Sequence, residues 1–202
     1  MNFPKYVEVD GIKYKINTDF RVAIECNKIA EDETIGDFER ALGIICVLYG
    51  KEALNNPNHY EKLLELAQKY FACGKEIKNE QNKKPDMDFE EDAGYIASSF
   101  QYDYKYNPYE MEYCHWYKFY NDLSNLSNSE LGNCCVLSNV RNLRNFDVSK
   151  IKDSEQKRKI IEAKKQVALK KNIVKKKPTK EQMESAKKFF DALNIRKEWY
   201  YE

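Results

Sequence analysis

Cysteine, histidine and acidic side chains are the residues of this chain that could bind a metal or catalyse a reaction. Among the six cysteines, Cys134 and Cys135 are adjacent, and Cys114 directly precedes His115. A turn wraps a zinc ion when its ligands stand about two to four residues apart, whereas neighbouring side chains on a helix point about 100° apart. We therefore predict no metal site, and the same geometry argues against a nucleophile and base at Cys114 and His115.

The acidic run Glu90-Glu91-Asp92 is typical of a solvated helix start. Asp92 differs from its neighbours because it shares a helical stripe with Ile96 and Phe100. It either lies in a first helical turn, where the amide dipoles favour a carboxylate, or it is buried and paired with His115 or Arg141. No glycine-rich phosphate loop or Gly-x-Ser-x-Gly elbow occurs. The sequence thus predicts no catalytic residue, no cofactor and no enzyme activity.

Composition and charge predict one ordinary globular body with a basic extension. Residues 1–150 carry 18 basic and 25 acidic side chains, whereas residues 151–180 carry 12 basic and 3 acidic ones. We expect a domain of hairpin and helices over residues 1–147. A basic helical arm over residues 148–202 would then pack on that body or on another subunit.

The cysteines lie mostly within apolar helical patterns, which favours buried, reduced thiols over a secreted disulfide framework. No apolar run of about 18 residues could span a membrane. The start MNFPKYVEVDG also lacks the layout of a signal peptide. These features predict a cytosolic protein with no membrane partner.

Residues 92–126 form the densest aromatic region and predict two packed helices joined at Asn107-Pro108. Each segment has one apolar helical stripe. The first stripe consists of Asp92, Ile96, Phe100 and Tyr104, and the second of Trp116, Phe119, Leu123 and Leu126. The two stripes should pack together as a helical hairpin.

The fold class that the remaining patterns predict is mainly α (α+β), with an N-terminal β-hairpin and a C-terminal Lys-rich helical extension. Tyr6–Ile16 alternates with period two about Asp10-Gly11, which suits a type I′ turn. Helix starts are predicted at Thr18, Thr34, Pro57, Asp88, Asn107, Ser127 and Thr179. A lone two-stranded hairpin is marginal, so it must lie against helices or join another chain's sheet.

The aromatic region also resembles the gene-product-fifteen family of tailed phages and prophages. The matching residues are Asp92, Ile96-Ala97-Ser98-Ser99-Phe100, Tyr104, His115-Trp116, Phe119 and Leu123, with residues 11–21 at the amino terminus. The resemblance covers roughly residues 3–145. It implies a tail-assembly chaperone in the host cytoplasm that binds the tape measure protein, and also contacts the major tail protein, without catalysis.

The residues themselves leave two interpretations open. His115 and Trp116 are either a core tryptophan beside a hydrogen-bonded histidine or a binding hot spot. Some tyrosines of this region should be displayed at the surface, which favours protein recognition, because six of them cannot all face one interior: Tyr102, Tyr106, Tyr109, Tyr113, Tyr117 and Tyr120. The apolar face of the last predicted helix packs either on the chain's own body or on a second subunit, which leaves a homo-oligomer open. The alternative function is nucleic-acid binding through the basic arm, although that arm has almost no aromatic residues for stacking on bases.

Overall fold

The computed structural model describes residues 3–75, 85–127 and 135–170. They belong to two compact units, one formed by residues 3–75 and the other by residues 85–127 with 135–170. The predicted division at residue 147 falls inside the second unit and stays a prediction. The helix start predicted at Thr179 lies outside the described residues.

The first unit begins with the predicted hairpin, formed by strands β1 (Tyr6–Val9) and β2 (Ile12–Lys15). The strands are antiparallel, with Val9 opposite Ile12 and Tyr6 opposite Lys15. Asp10 and Gly11 have φ values of 49° and 79°, and two positive φ values are the signature of a type I′ turn. The turn prediction is therefore confirmed.

Three helices complete the first unit: α1 (Phe20–Glu31), α2 (Asp37–Tyr49) and α3 (Tyr60–Phe71). Two short 3-10 helices, Lys51–Asn55 and Pro57–His59, connect α2 to α3. The core consists of apolar side chains from the hairpin and all three helices, chiefly Val9, Ile16, Phe20, Ile24, Leu42, Ile45, Leu48 and Leu63.

The helix starts in this unit differ slightly from the sequence prediction. Asp19, rather than Thr18, is the N-cap of α1, and its carboxylate accepts a hydrogen bond from the Arg21 amide. An aspartate offers the same acceptor as threonine at this position. Gly36 is the N-cap of α2, with no side-chain cap bond.

The second unit contains α4 (Ala93–Tyr104), α5 (Trp116–Ser124), α6 (Val136–Asn145), a short 3-10 helix at Val148–Lys150, and α7 (Ser154–Gln166). Over the described residues, the chain is thus mainly helical with one N-terminal antiparallel hairpin, as predicted. None of the helices described is both long and apolar enough to cross a membrane.

The second aromatic helix starts later than predicted. Asn107 and Pro108 begin a turn, in which the Asn107 side chain accepts a bond from the Tyr109 amide. Helix α5 then starts at Trp116, with His115 as its N-cap. The prediction of a helix from Asn107 was wrong because an Asn-Pro pair favours a turn as readily as a first helical turn.

Candidate partner-binding site

The predicted stripe on α4 lies on the buried face of that helix. Ile96 and Phe100 are fully buried, and the Tyr104 hydroxyl donates a 2.8 Å hydrogen bond to the Asp122 carbonyl. The rings of Phe100 and Phe119 stack with 5.4 Å between their centres. Helices α4 and α5 therefore pack through the residues that the spacing predicted.

Asp92 precedes α4 as a buried carboxylate with a buried partner. Its side chain is 1% exposed, and both of its oxygens accept hydrogen bonds from Arg144, at 2.6 and 2.8 Å. The amide of Asp88 donates a third bond, at 3.0 Å. At this buried position an unpaired charge would destabilise the fold, so each of the two charges needs the other. The structure thus agrees with the second alternative for Asp92, a buried and paired carboxylate. Its partner is Arg144, however, rather than His115 or Arg141.

Arg144 joins three parts of the second unit. Besides Asp92, its guanidinium donates to the Asp86 carbonyl at 2.8 Å and to the Val167 carbonyl at 2.6 Å. The hydrogen bond to Asp92 raises the pKa of Arg144 above its ordinary value, so the charge is permanent. The guanidinium thereby fixes the start of α4 and the chain that follows α7.

The described part of the predicted basic arm contacts this same region. Leu169 is 1% exposed, and the Lys170 amide donates to both carboxylate oxygens of Glu91, at 3.0 and 3.1 Å. Helix α7 itself has no buried residue. The chain after α7 therefore contributes a buried side chain to the second unit, whereas α7 contributes none.

His115 and Trp116 both lie inside the second unit. The His115 Nδ1 atom accepts a 3.0 Å bond from the Tyr117 amide, which is an N-cap contact. Trp116 is 4% exposed, with its ring 5.9 Å from Phe119 and 5.2 Å from Tyr120. This geometry favours the core interpretation of both residues.

A polar cluster that the sequence did not single out lies beside the aromatic core. The Tyr106 hydroxyl donates to the Asp122 carboxylate at 2.5 Å, and the Lys118 ammonium donates to the same carboxylate at 2.6 Å. Burial and the bond to Asp122 raise the pKa of the Tyr106 hydroxyl well above its ordinary value. Lys118 and Asp122 stand four positions apart, and helix α5 therefore brings their side chains together. This spacing could have indicated the pair from the sequence alone.

Two of the six tyrosines in this region are displayed to solvent. Tyr102, near the end of α4, is 63% exposed, and Tyr113, just before α5, is 50% exposed. The other four are half-buried: Tyr106, Tyr109, Tyr117 and Tyr120. The prediction that some tyrosines of this region reach the surface is confirmed by Tyr102 and Tyr113, the exposed tyrosines.

A second buried polar cluster, also missed by the sequence analysis, lies in the first unit. The Tyr14 hydroxyl is 2.7 Å from His59 Nδ1 and accepts a 3.1 Å bond from Asn56. His59 Nε2 lies 3.5 Å from the Asp10 carboxylate, at the tip of the hairpin. These contacts hold the hairpin turn against the segment before α3.

The cysteines in the described residues are free thiols. Burial raises the pKa of the Cys26 thiol to about 12, so this group is protonated at neutral pH and is a poor nucleophile. Within residues 3–75, 85–127 and 135–170, no three His, Cys, Asp or Glu side chains are grouped so that they could hold a metal ion.

The comparisons with known proteins give one finding. Neither the curated proteins nor the solved structures contain a match to this chain. The family model described as Bacteriophage Gp15 protein matches residues 2–169, which include the hairpin, α1 to α7 and the buried Asp92–Arg144 pair. The match extends past the region that carried the sequence resemblance, to the buried Leu169. Because this match spans most of the chain, the chain belongs to the Bacteriophage Gp15 protein family.

Proposed function

We propose that this protein is a tail-assembly chaperone that binds the tape measure protein in the host cytoplasm while the tail tube polymerises. The family match over residues 2–169 carries the proposal, because it makes this a phage protein of the family whose resemblance implies that role. The proposed action is protein binding without catalysis. The major tail protein is proposed as a second partner.

The physical task of such a chaperone is to cover apolar surface for a limited time. A long helical protein exposes apolar seams before it assembles, and those seams promote aggregation. A chaperone must offer apolar and aromatic area without competing with the final assembly. Tyrosine suits this role because it adds large contact area at a small cost in side-chain entropy.

The exposed tyrosines support a recognition surface on the second unit. Tyr102 and Tyr113 are displayed on the unit whose core contains the stacked rings of Phe100 and Phe119. The Lys105 ammonium lies 5.5 Å from the centre of the Tyr102 ring, which adds a positive charge beside an aromatic face. An apolar helix with acidic flanks would fit this combination.

The test is binding of the purified chain to soluble segments of its phage's tape measure protein. Contacts between apolar and aromatic groups should weaken only modestly when salt rises from about 0.1 to 0.5 M. Binding driven by phosphate contacts would collapse over that range, so a DNA duplex measured in parallel tests the nucleic-acid alternative. Salt-sensitive retention of DNA with no tape measure binding would overturn the proposal.

Variants of the exposed tyrosines locate the surface. Tyr102→Ser together with Tyr113→Ser should weaken binding by at least about 30-fold, the effect of losing one typical hot spot. Phe146→Ser is the matched control, because Phe146 is also an exposed aromatic residue but lies at the end of α6. Equal loss in both variants would show that no specific tyrosine surface exists.

A further inference from the structure

Strand β1 has an outer edge whose backbone groups are not used within the described residues. The Ile16 amide donates a 2.9 Å bond to the Lys5 carbonyl, so these two residues form a hydrogen-bonded pair. Bonding alternates along an antiparallel pair, and Val7 and Val9 therefore bond to β2. The backbone groups of Tyr6 and Glu8 point away from β2 and have no hydrogen-bond partner among the described residues.

Strand β2 has an outer edge too, but its side chains protect it. By the same alternation, the outward backbone groups on β2 are those of Lys13 and Lys15. Lysine on an edge strand discourages pairing with another strand. Two β2 edges related by twofold symmetry about Tyr14 would place Lys13 directly opposite Lys15 of the other copy, and like charges in that position are destabilising. The β1 edge carries no such pair.

We propose that β1 pairs antiparallel with β1 of a second copy of this chain, about a twofold axis at Val7, to form a four-stranded sheet. In this register Tyr6 is opposite Glu8 of the second copy, and Glu8 is opposite its Tyr6. Both are hydrogen-bonded pairs, so all of the outward groups of Tyr6 and Glu8 find partners. The tyrosine hydroxyl also lies beside a carboxylate rather than beside a like charge.

Neighbouring registers are worse for identifiable reasons. An axis at Tyr6 would place Pro4 opposite Glu8, and proline has no amide hydrogen to donate. An axis at Glu8 would place two Glu8 carboxylates opposite each other. Pro4 on one side and the turn at Asp10 on the other thus limit the usable edge to Tyr6, Val7 and Glu8.

The charge order across the proposed sheet is also favourable. Within each hairpin Glu8 is opposite Lys13 and Tyr6 is opposite Lys15. Side chains on one face of the four-stranded sheet would therefore run Lys13, Glu8, Tyr6 and Lys15, with the last two from the second copy. Tyr6, which is 58% exposed in the single chain, would gain a neighbour.

Because the edge is short, its area is far below that of a standard interface of about 1,600 Å², and we expect a weak, concentration-dependent dimer.

Amide hydrogen exchange of the full chain at low and high concentration tests the pairing directly. The amides of Tyr6 and Glu8 should exchange more slowly as the dimer forms, whereas those of Lys13 and Lys15 should be unaffected. The proposal is overturned if protection appears at Lys13 and Lys15 instead. It is also overturned if sedimentation shows only monomer up to about 1 mM, the range of the weakest specific associations.

Two proline variants give a matched test. Glu8→Pro and Lys13→Pro each remove an outward amide hydrogen. Each also removes one charge of the same cross-strand pair, Glu8 and Lys13. Proline is tolerated at both positions because these edge amides face solvent in the single chain. Glu8→Pro should raise the dimer dissociation constant about 30-fold, as expected from two lost backbone hydrogen bonds of typical strength. Lys13→Pro should leave that constant unchanged. Equal effects of the two variants would overturn the proposal, and the exchange measurement on the natural chain decides the matter if either variant fails to fold.

Discussion

Arg144 and Asp92 form a buried ion pair between residues 52 positions apart in the sequence. The guanidinium reaches both carboxylate oxygens, and its remaining donors reach the carbonyls of Asp86 and Val167. Replacing one partner of such a pair leaves a buried charge without compensation. Arg144→Ala should therefore lower the free energy of unfolding by about 3 to 5 kcal/mol.

The control for Arg144 is a second arginine on the same helix. Arg141 pairs with Asp86 at 3.2 Å, but its side chain is 43% exposed. Arg141→Ala should cost no more than about 1 kcal/mol, because solvent screens an exposed pair. Denaturant unfolding of both variants gives the comparison. Similar losses in the two would show that burial of the Asp92–Arg144 pair has no special effect.

Trp116→Ala should lower stability by about 3 to 5 kcal/mol, since the ring is buried against Phe119 and Tyr120. Tyr113→Ala removes an exposed aromatic residue three positions earlier and should change stability by no more than about 0.5 kcal/mol. Binding to the tape measure protein should show the opposite ranking, because Tyr113→Ala should weaken it more than Trp116→Ala does. An unchanged melting temperature in Trp116→Ala, together with lost binding to the tape measure protein, would mean that Trp116 is an interface residue.

Leu169 tests whether the first part of the basic arm belongs to the folded unit. Because it is 1% exposed, Leu169→Ala should cost about 2 to 5 kcal/mol. Ile161→Ala, at a 36% exposed position of α7, should cost less than about 1 kcal/mol.

Two shortened chains extend this test to the predicted boundary at residue 147. A chain ending at residue 147 loses both Leu169 and the Val167 carbonyl that accepts from Arg144, whereas a chain ending at 170 keeps them. The shorter chain should be the less stable of the two in thermal unfolding. Equal stability would support a separable arm beginning at residue 148.

Alkaline pH should weaken the second unit through Tyr109. Burial raises the pKa of the Tyr109 hydroxyl from its ordinary 10 to about 12 in the folded chain. The folded state thus binds more protons than the unfolded state between these values, so this contribution to stability is complete below pH 10 and is lost as pH rises towards 12. Tyr109→Phe should flatten the fall in unfolding free energy over that range. An unchanged slope would mean that Tyr109 titrates alike in both states.

Local patterns predicted more of the structure than long-range contacts did. The Asp10-Gly11 turn was predictable because two positive φ values are needed within two residues. The α4 stripe was predictable because Ile96 and Phe100 repeat with the helical period. By contrast, the partner of Asp92 was not predictable, because the sequence does not show which of its arginines the fold brings next to this carboxylate.

The start of α5 shows a different limit. The residues from Asn107 to Cys114 contain a proline and two tyrosines, which fit either a helix or a turn. Sequence spacing alone does not distinguish a histidine inside a helix from the N-cap that His115 forms. Local side-chain bonds, such as the one from the Tyr109 amide to Asn107, decide the matter and are visible only in the structure.

The soluble yield of the tape measure protein, made with and without this chain in the same cells, tests whether the chain acts as its chaperone. The chaperone account predicts that the natural chain raises the soluble fraction and is recovered in a complex with the tape measure protein. The chain carrying both Tyr102→Ser and Tyr113→Ser should raise the yield less, although it is equally stable. A tape measure protein that stays insoluble in the presence of the folded natural chain would contradict the account.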